Sequence, residues 1–276
     1  MGKKERPVGR CRLCGKVLPL TFEHVPPHEA GNSRKVRQVS GDSWLQTLGV
    51  DRDQMPWDFS GIHSKESQRG KAGYYLCQSC NNNTGKWYAA EYVRFARGIG
   101  ANIQGLDKGY TGVHFETNKP VYPLRILKQI MVMMLDVNPN GLNDEKLVQF
   151  LLDKDERSFD QKKYQIYAYL YDGPVERMNG LMVIIDLATG MLITTSEVAS
   201  WPVGFTLYID PPDGYLPAGC NITKMADFGY NDQAMLSFYL PRLEGNTPFS
   251  ADFRTKSEII ETIEATKNYA DNEVKK

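Results

Sequence analysis

The sequence predicts an α+β chain, with a small cysteine-knuckle module in front and a mainly antiparallel sheet behind, and three observations carry that prediction. Two C-x2-C pairs, Cys11/Cys14 and Cys77/Cys80, stand 62 residues apart in the first third of the chain. An apolar period of three to four residues starts directly after the second pair. Beyond Pro123 a strongly apolar helical stretch gives way to short alternating segments rich in β-branched and aromatic residues.

Taken in order, residues 1–10 read as a basic arm. Residues 11–25 read as a knuckle and hairpin, with Gly15 at the turn and Pro26-Pro27 ending the strand by removing two N–H donors. Residues 28–73 show no sustained period and are expected to be a long insertion loop. A short strand, 73–76, delivers Cys77. A helix follows over 81–97, capped near Asn81 and ended by Gly98 and Gly100. This order, a knuckle on a hairpin and a second knuckle at a helix start, is a treble-clef arrangement. Residues 101–120 are expected to link the halves. After Pro123 come helices at 124–136 and 142–152, and strands at 164–171, 181–186, 191–197, 204–210 and 234–240. The turn signal Ala188-Thr189-Gly190 joins two of the strands. A polar helix near 257–266 closes the chain. The expected organisation is therefore a module at 1–100, a linker at 101–120 and an acidic α+β domain at 121–276.

Composition narrows the function classes. The chain has 276 residues, 41% of them hydrophobic, which suffices for real cores. No run of 18 apolar residues exists, and the charged N-terminus has no apolar stretch behind it, so no membrane association is expected. Four of the five cysteines stand in metal spacing and Cys220 stands alone, which points to a reduced, cytoplasmic protein. The net charge of zero conceals a polarity. Residues 1–120 hold 18 Lys+Arg and 11 Asp+Glu, whereas residues 121–276 hold 15 and 22. A basic half suits a polyanion partner.

Each C-x2-C turn offers two soft thiolates, and two such turns fill the tetrahedral shell of Zn²⁺. A closed four-thiolate site leaves no position for water, so Cys11, Cys14, Cys77 and Cys80 predict a structural zinc. Between the pairs lies Glu23-His24-Val25-Pro26-Pro27, and Asn81 follows the last cysteine. His24 serves as a base, as a strut to a backbone carbonyl or as an alternative zinc ligand. Asn81 serves as a ligand, as a helix cap or as both. Glu23 either binds a metal or neutralises a nearby cation.

These residues together resemble the zinc-containing branch of the HNH endonucleases, the ββα-metal fold, over about the first 100 residues. The resemblance implies that His24 is the general base and that Glu23 and Asn81 bind a catalytic Mg²⁺ or Mn²⁺. Hydrolysis of a phosphodiester needs a deprotonated water and a cation on the phosphate oxygens, and imidazole and hard oxygen ligands suit those tasks. The final His of the family signature is Asn81 here. Its middle Asn, which fixes the loop bearing the base, is missing from the usual place, where Ala72 and Gly73 stand.

Arg34, Lys35, Arg37, Arg69 and Lys71 are the expected phosphate contacts. The expected partner is DNA, with RNA an open alternative, in a phage or bacterial defence setting implied by the resemblance. The acidic half would serve specificity, a regulatory partner or a homo-oligomer. Two other readings stand beside the endonuclease: a non-catalytic zinc module that binds nucleic acid, and a protein–protein adaptor.

Overall fold

The protein, seen in a computed structural model, is described for residues 5–274 except 48–53, 69, 108, 139–141, 143, 174 and 186–188. Strand β1 (Val8–Arg10) pairs antiparallel with β2 (Val17–His24), Val8 opposite Pro19 and Arg10 opposite Val17. The knuckle turn lies between them, and Gly15 adopts φ 71° there, which a side chain would resist.

The segment expected as a plain insertion loop has structure of its own. A 3-10 turn (His28–Ala30) is followed by β3 (Val36–Val39), α1 (Gly41–Leu45) and β4 (Ser64–Ser67), with β3 and β4 paired antiparallel. Their sequences lack a clean apolar alternation, so the pairing leaves no local trace. Trp44 of α1 is buried and meets Phe249 edge-on at 5.1 Å, which seats the insertion on the C-terminal half.

β5 (Ala72–Cys77) returns antiparallel to β2. Then α2 (Gln78–Thr84), a π-helical turn (Gly85–Ala89) and α3 (Ala90–Ile103) run on without a break. The helix therefore starts earlier than expected and passes through both Gly98 and Gly100. A β-carbon at Gly100 would lie 2.9 Å from Trp201 Cη2, so this glycine admits an indole rather than ending a helix.

The expected linker carries the end of α3 and also β6 (Gly112–Glu116), which pairs antiparallel with β12 (Ser237–Pro241). Phe115 is the one buried residue of β6, with Val113 partly buried beside it, and its partner strand lies far along the chain. α4 (Pro123–Val137) has proline in its first turn and is buried on nearly every side, Lys128 included. Lys128 is accommodated because its Nζ donates to the carbonyls of Asp153, Lys154 and Glu156 at 2.8, 3.2 and 2.8 Å. Those carbonyls lie just beyond the C-terminus of α5 (Glu145–Leu152), where a cation is favoured.

The remaining strands are β7 (Tyr164–Leu170), β8 (Arg177–Ile185), β9 (Leu192–Ser200), β10 (Val203–Ile209) and the short β11 (Cys220–Asn221). With β6 and β12 already placed, they form an antiparallel sheet in the order β11-β7-β10-β9-β8. α6 (Lys256–Val274) closes the chain and is longer than expected. The fold is thus α+β with mainly antiparallel sheets. One hydrophobic core runs from Leu13 and Leu76 through Tyr92 and Phe95 to Leu127, Phe205 and Leu240, so it passes across the expected boundary at 101–120.

Candidate metal centre and the histidine strand end

The four paired cysteines come together from three elements. Cys11 and Cys14 lie in the turn after β1, Cys77 ends β5, and Cys80 sits in the first turn of α2. Their sulfurs all lie within 4.8 Å of one another, and Cys14 and Cys77 are 3.9 Å apart. The sulfur–sulfur edge of a tetrahedral site with metal–sulfur bonds of about 2.3 Å is about 3.8 Å. Backbone geometry favours thiolates here too, because Cys77 N donates to Cys11 Sγ at 3.2 Å. Hydrogen bonding with Cys80 pulls Cys11 down to about 4 and pushes Cys80 upward, so the cluster does not shed four protons on its own. A cation at its centre removes that conflict. The cluster can hold a metal ion. Cys220 lies apart from it on β11, and all five cysteines are free.

The strand pair leading into this centre carries a bulge. Thr21 faces Leu76, but Phe22 faces Tyr74, which leaves Tyr75 as the extra residue. Side chains fill the resulting gaps in the ladder. Asn81 Nδ2 donates to Thr21 Oγ1 at 2.9 Å, Thr21 Oγ1 donates to Leu76 O at 2.9 Å, and Leu76 N donates to Glu23 Oε1 at 3.0 Å. Asn81 is therefore not the helix cap. Cys77 holds that position, and Asn81 lies one turn further in.

Beyond the bulge, Glu23 faces Gly73 and His24 faces Ala72, so the two side chains leave the strand on opposite faces. Glu23 turns inward toward Arg12, whose guanidinium lies over the Tyr75 ring at 4.4 Å, and toward the buried Asp136 of α4. His24 turns outward. Its ring lies 5.7 Å from Phe22 and 5.1 Å from His28, and Phe22 also meets the ring of Tyr74. Glu23 and Asn81 thus share one network, while His24 shares a surface with His28.

Burial pushes the Glu23 carboxyl up to about 7 from 4.5, and its bond from Leu76 N–H only partly offsets this. A carboxyl raised on folding stabilises the protein fully below about 4.5, and that contribution is lost as pH rises through about 7. Glu23→Gln is expected to match wild type at pH 4 and to exceed it at pH 8 by up to about 3 kcal/mol in urea unfolding. An equal difference at both pH values would rule this account out.

Sequence reasoning missed Asn32. It is buried, its Nδ2 donates to Pro26 O at 2.7 Å and Lys71 O at 2.8 Å, and its Oδ1 accepts from Lys71 N at 2.7 Å. One side chain thereby ties the segment leaving β2 to the segment entering β5, across the whole insertion. Gly70 makes room for it, since a β-carbon there would sit 2.2 Å from Asn32 O. The available signal was Gly31-Asn32 paired with the lone Gly70 just before β5. His28 reads as a surface residue and is exposed, and a turn that the prolines hide brings its ring to that of His24.

Three of the expected basic residues have partners within the protein. Arg34 lies over the Trp201 ring at 5.2 Å, Lys35 pairs with Glu66 at 2.7 Å, and Arg37 Nε donates to Ser64 Oγ at 2.6 Å. Burial draws the Lys71 ammonium down to about 8, partly offset by Glu176. Arg69 lies outside the described residues.

Fold and centre together define the class: an α+β protein whose strand–helix junction gathers four cysteines able to hold a metal. Comparison with protein-family models, with curated proteins and with solved structures finds no match. No helix among the described residues is long and apolar enough to cross a membrane.

Proposed function

We propose that the protein is an endonuclease that hydrolyses phosphodiester bonds of DNA with His24 as general base, built on a treble-clef ββα module with a structural zinc. The observation that carries this reading is the placement of His24. It ends a strand that the four-cysteine cluster ties to β5 and α2, and that Asn32 ties to the start of β5. A base must be held where it meets a water in line with the phosphorus, and two independent tethers supply that rigidity. Asn32 does the work that the resemblance assigns to an asparagine just before the second cysteine pair. Four thiolates suit zinc over harder ions.

A divalent ion such as Mg²⁺ or Mn²⁺ would neutralise charge on the phosphate. Glu23 and Asn81 do not fit as its ligands beside His24, because both face inward and hold the bulge together. That same arrangement favours a second reading, a zinc-stabilised module that binds nucleic acid without cutting it.

Nicking of supercoiled plasmid with Mg²⁺ or Mn²⁺ separates the two. Wild type is expected to nick, His24→Ala to be slower by about 10²–10⁴-fold, and omission of the ion with brief EDTA to stop the reaction. Asn32→Ala should lose activity while retaining zinc. If His24→Ala cuts as fast as wild type, His24 is not the base. If zinc-loaded wild type binds DNA in a salt-dependent way and cuts neither plasmid nor RNA, the binding module is the function.

A further inference from the structure

A second feature lies where the insertion, α3 and the C-terminal sheet meet. Trp201, in the tight turn from β9 to β10, reaches into the N-terminal half. Its benzo edge is seated between two glycines: a β-carbon at Gly31 would come within 3.1 Å of it and one at Gly100 within 2.9 Å. Two backbones thus fix the indole, which remains partly exposed. It lines a cavity of about 340 Å³ together with Tyr110, Arg34, Gln104 and Asp172. The Arg34 guanidinium lies 5.2 Å over the Trp201 ring, and Arg242 lies 5.2 Å over Tyr110 while binding Asp172 at 3.1 Å.

We infer that this cavity takes one unpaired nucleobase of the bound nucleic acid, stacked on Trp201 and Tyr110; the inference rests on the nuclease or binding reading of the N-terminal module. The chemistry of the walls selects that ligand. Rigid aromatic faces with guanidinium groups beside them attract the flat π-face of a heterocycle. A carboxylate and a primary amide at the rim match the exocyclic amine and ring acceptors of a base edge. The size suits a single heterocycle with its sugar rather than a duplex.

The cavity is also mechanically joined to the strand end. Arg34 stands two residues beyond Asn32, and its carbonyl accepts from Gly70 N at 2.8 Å, inside the segment that Asn32 clamps. A base held here therefore has a fixed register relative to the phosphate presented to His24. The arrangement gives the C-terminal half a part in recognition: it supplies the stacking platform.

Fluorescence anisotropy with labelled single-stranded 12-mers, in buffer without added Mg²⁺ or Mn²⁺, tests this. The probes are a DNA 12-mer, the matched RNA 12-mer, and the DNA 12-mer with abasic sites. Wild type should prefer the base-containing DNA over the abasic strand by about 5- to 150-fold. Trp201→Ala should abolish that preference, and Trp201→Phe should retain most of it. Tyr110→Leu, which leaves the glycine seat intact, should reduce the preference even if Trp201→Ala proves unstable. The RNA probe shows whether ribose is also accepted, and binding of either strand that weakens in Trp201→Ala supports the cavity. Equal binding of intact and abasic strands by wild type, or no binding of any strand, overturns it. His24-dependent nicking without a base preference would leave the nuclease standing and remove the cavity. A Trp201-dependent preference without nicking would do the reverse.

Discussion

Cys77→Ser, or withdrawal of metal by a strong chelator, is expected to destabilise the chain by upwards of about 4 kcal/mol and to loosen the N-terminal module first. The reason is the number of elements that meet at one point. Cys77 is the last residue of β5 and the N-cap of α2, and its sulfur lies 3.9 Å from that of Cys14 in the knuckle after β1. Binding free energy at such a site is folding free energy, because the unfolded chain does not preform it. The loss should spread into the C-terminal half. Arg12 lies inside the knuckle, over Tyr75, and is the nearby positive charge for both Glu23 and the fully buried Asp136 of α4. Burial holds the Asp136 carboxyl well above the usual carboxylate range and Arg12 partly offsets this, so a knuckle that opens removes that offset next to a core shared by both halves. Zinc content by mass spectrometry, followed alongside thermal unfolding, is the measurement. A metal-free protein with an unchanged melting temperature would show that the cluster holds nothing.

What could be read from the sequence was what is local. The cysteine spacing announced the centre because two ligands sit in each turn. The apolar period announced α4, and short β-type segments announced β7, β9 and β10, all within a few residues of where they form. The features that decide the site are not local. Asn32 looks like any loop asparagine until Lys71, 39 residues on, is brought beside it. The bulge at Thr21/Phe22 exists only once β5 is paired, and the side chains of Glu23 and Asn81 then hydrogen-bond in the gaps it opens. Strand alternation did indicate that Glu23 and His24 face opposite ways. The resemblance puts them in one site, but the pairing stays regular through His24, opposite Ala72, and sets them on opposite faces. Gly98 and Gly100 read as helix ends because a sequence does not show the indole that Gly100 makes room for.

Glu197→Leu is expected to cost about 3–5 kcal/mol, although Glu197 touches no candidate site residue. It lies on β9, and its Oε1 accepts from Arg177 Nη2 of β8 at 2.9 Å, both side chains being fully buried. The Tyr169 hydroxyl also donates to it. Arginine stays charged under all ordinary conditions, so removing the carboxylate strands a cation in the core. Arg177 is further engaged, since Nη1 donates to Phe249 O at 2.9 Å and Asp252 O at 2.8 Å. Phe249 in turn packs on Trp44, the anchor of the insertion that carries Arg34 and Asn32. The pair therefore supports the seat of the insertion through Phe249. Arg177→Met combined with Glu197→Leu should recover much of the loss, because two apolar groups replace two buried charges. Urea unfolding of both single variants and the double variant measures the coupling. If the double variant equals the sum of the singles, the carbonyl contacts to Phe249 and Asp252 carry the stability, and the charge pair does not.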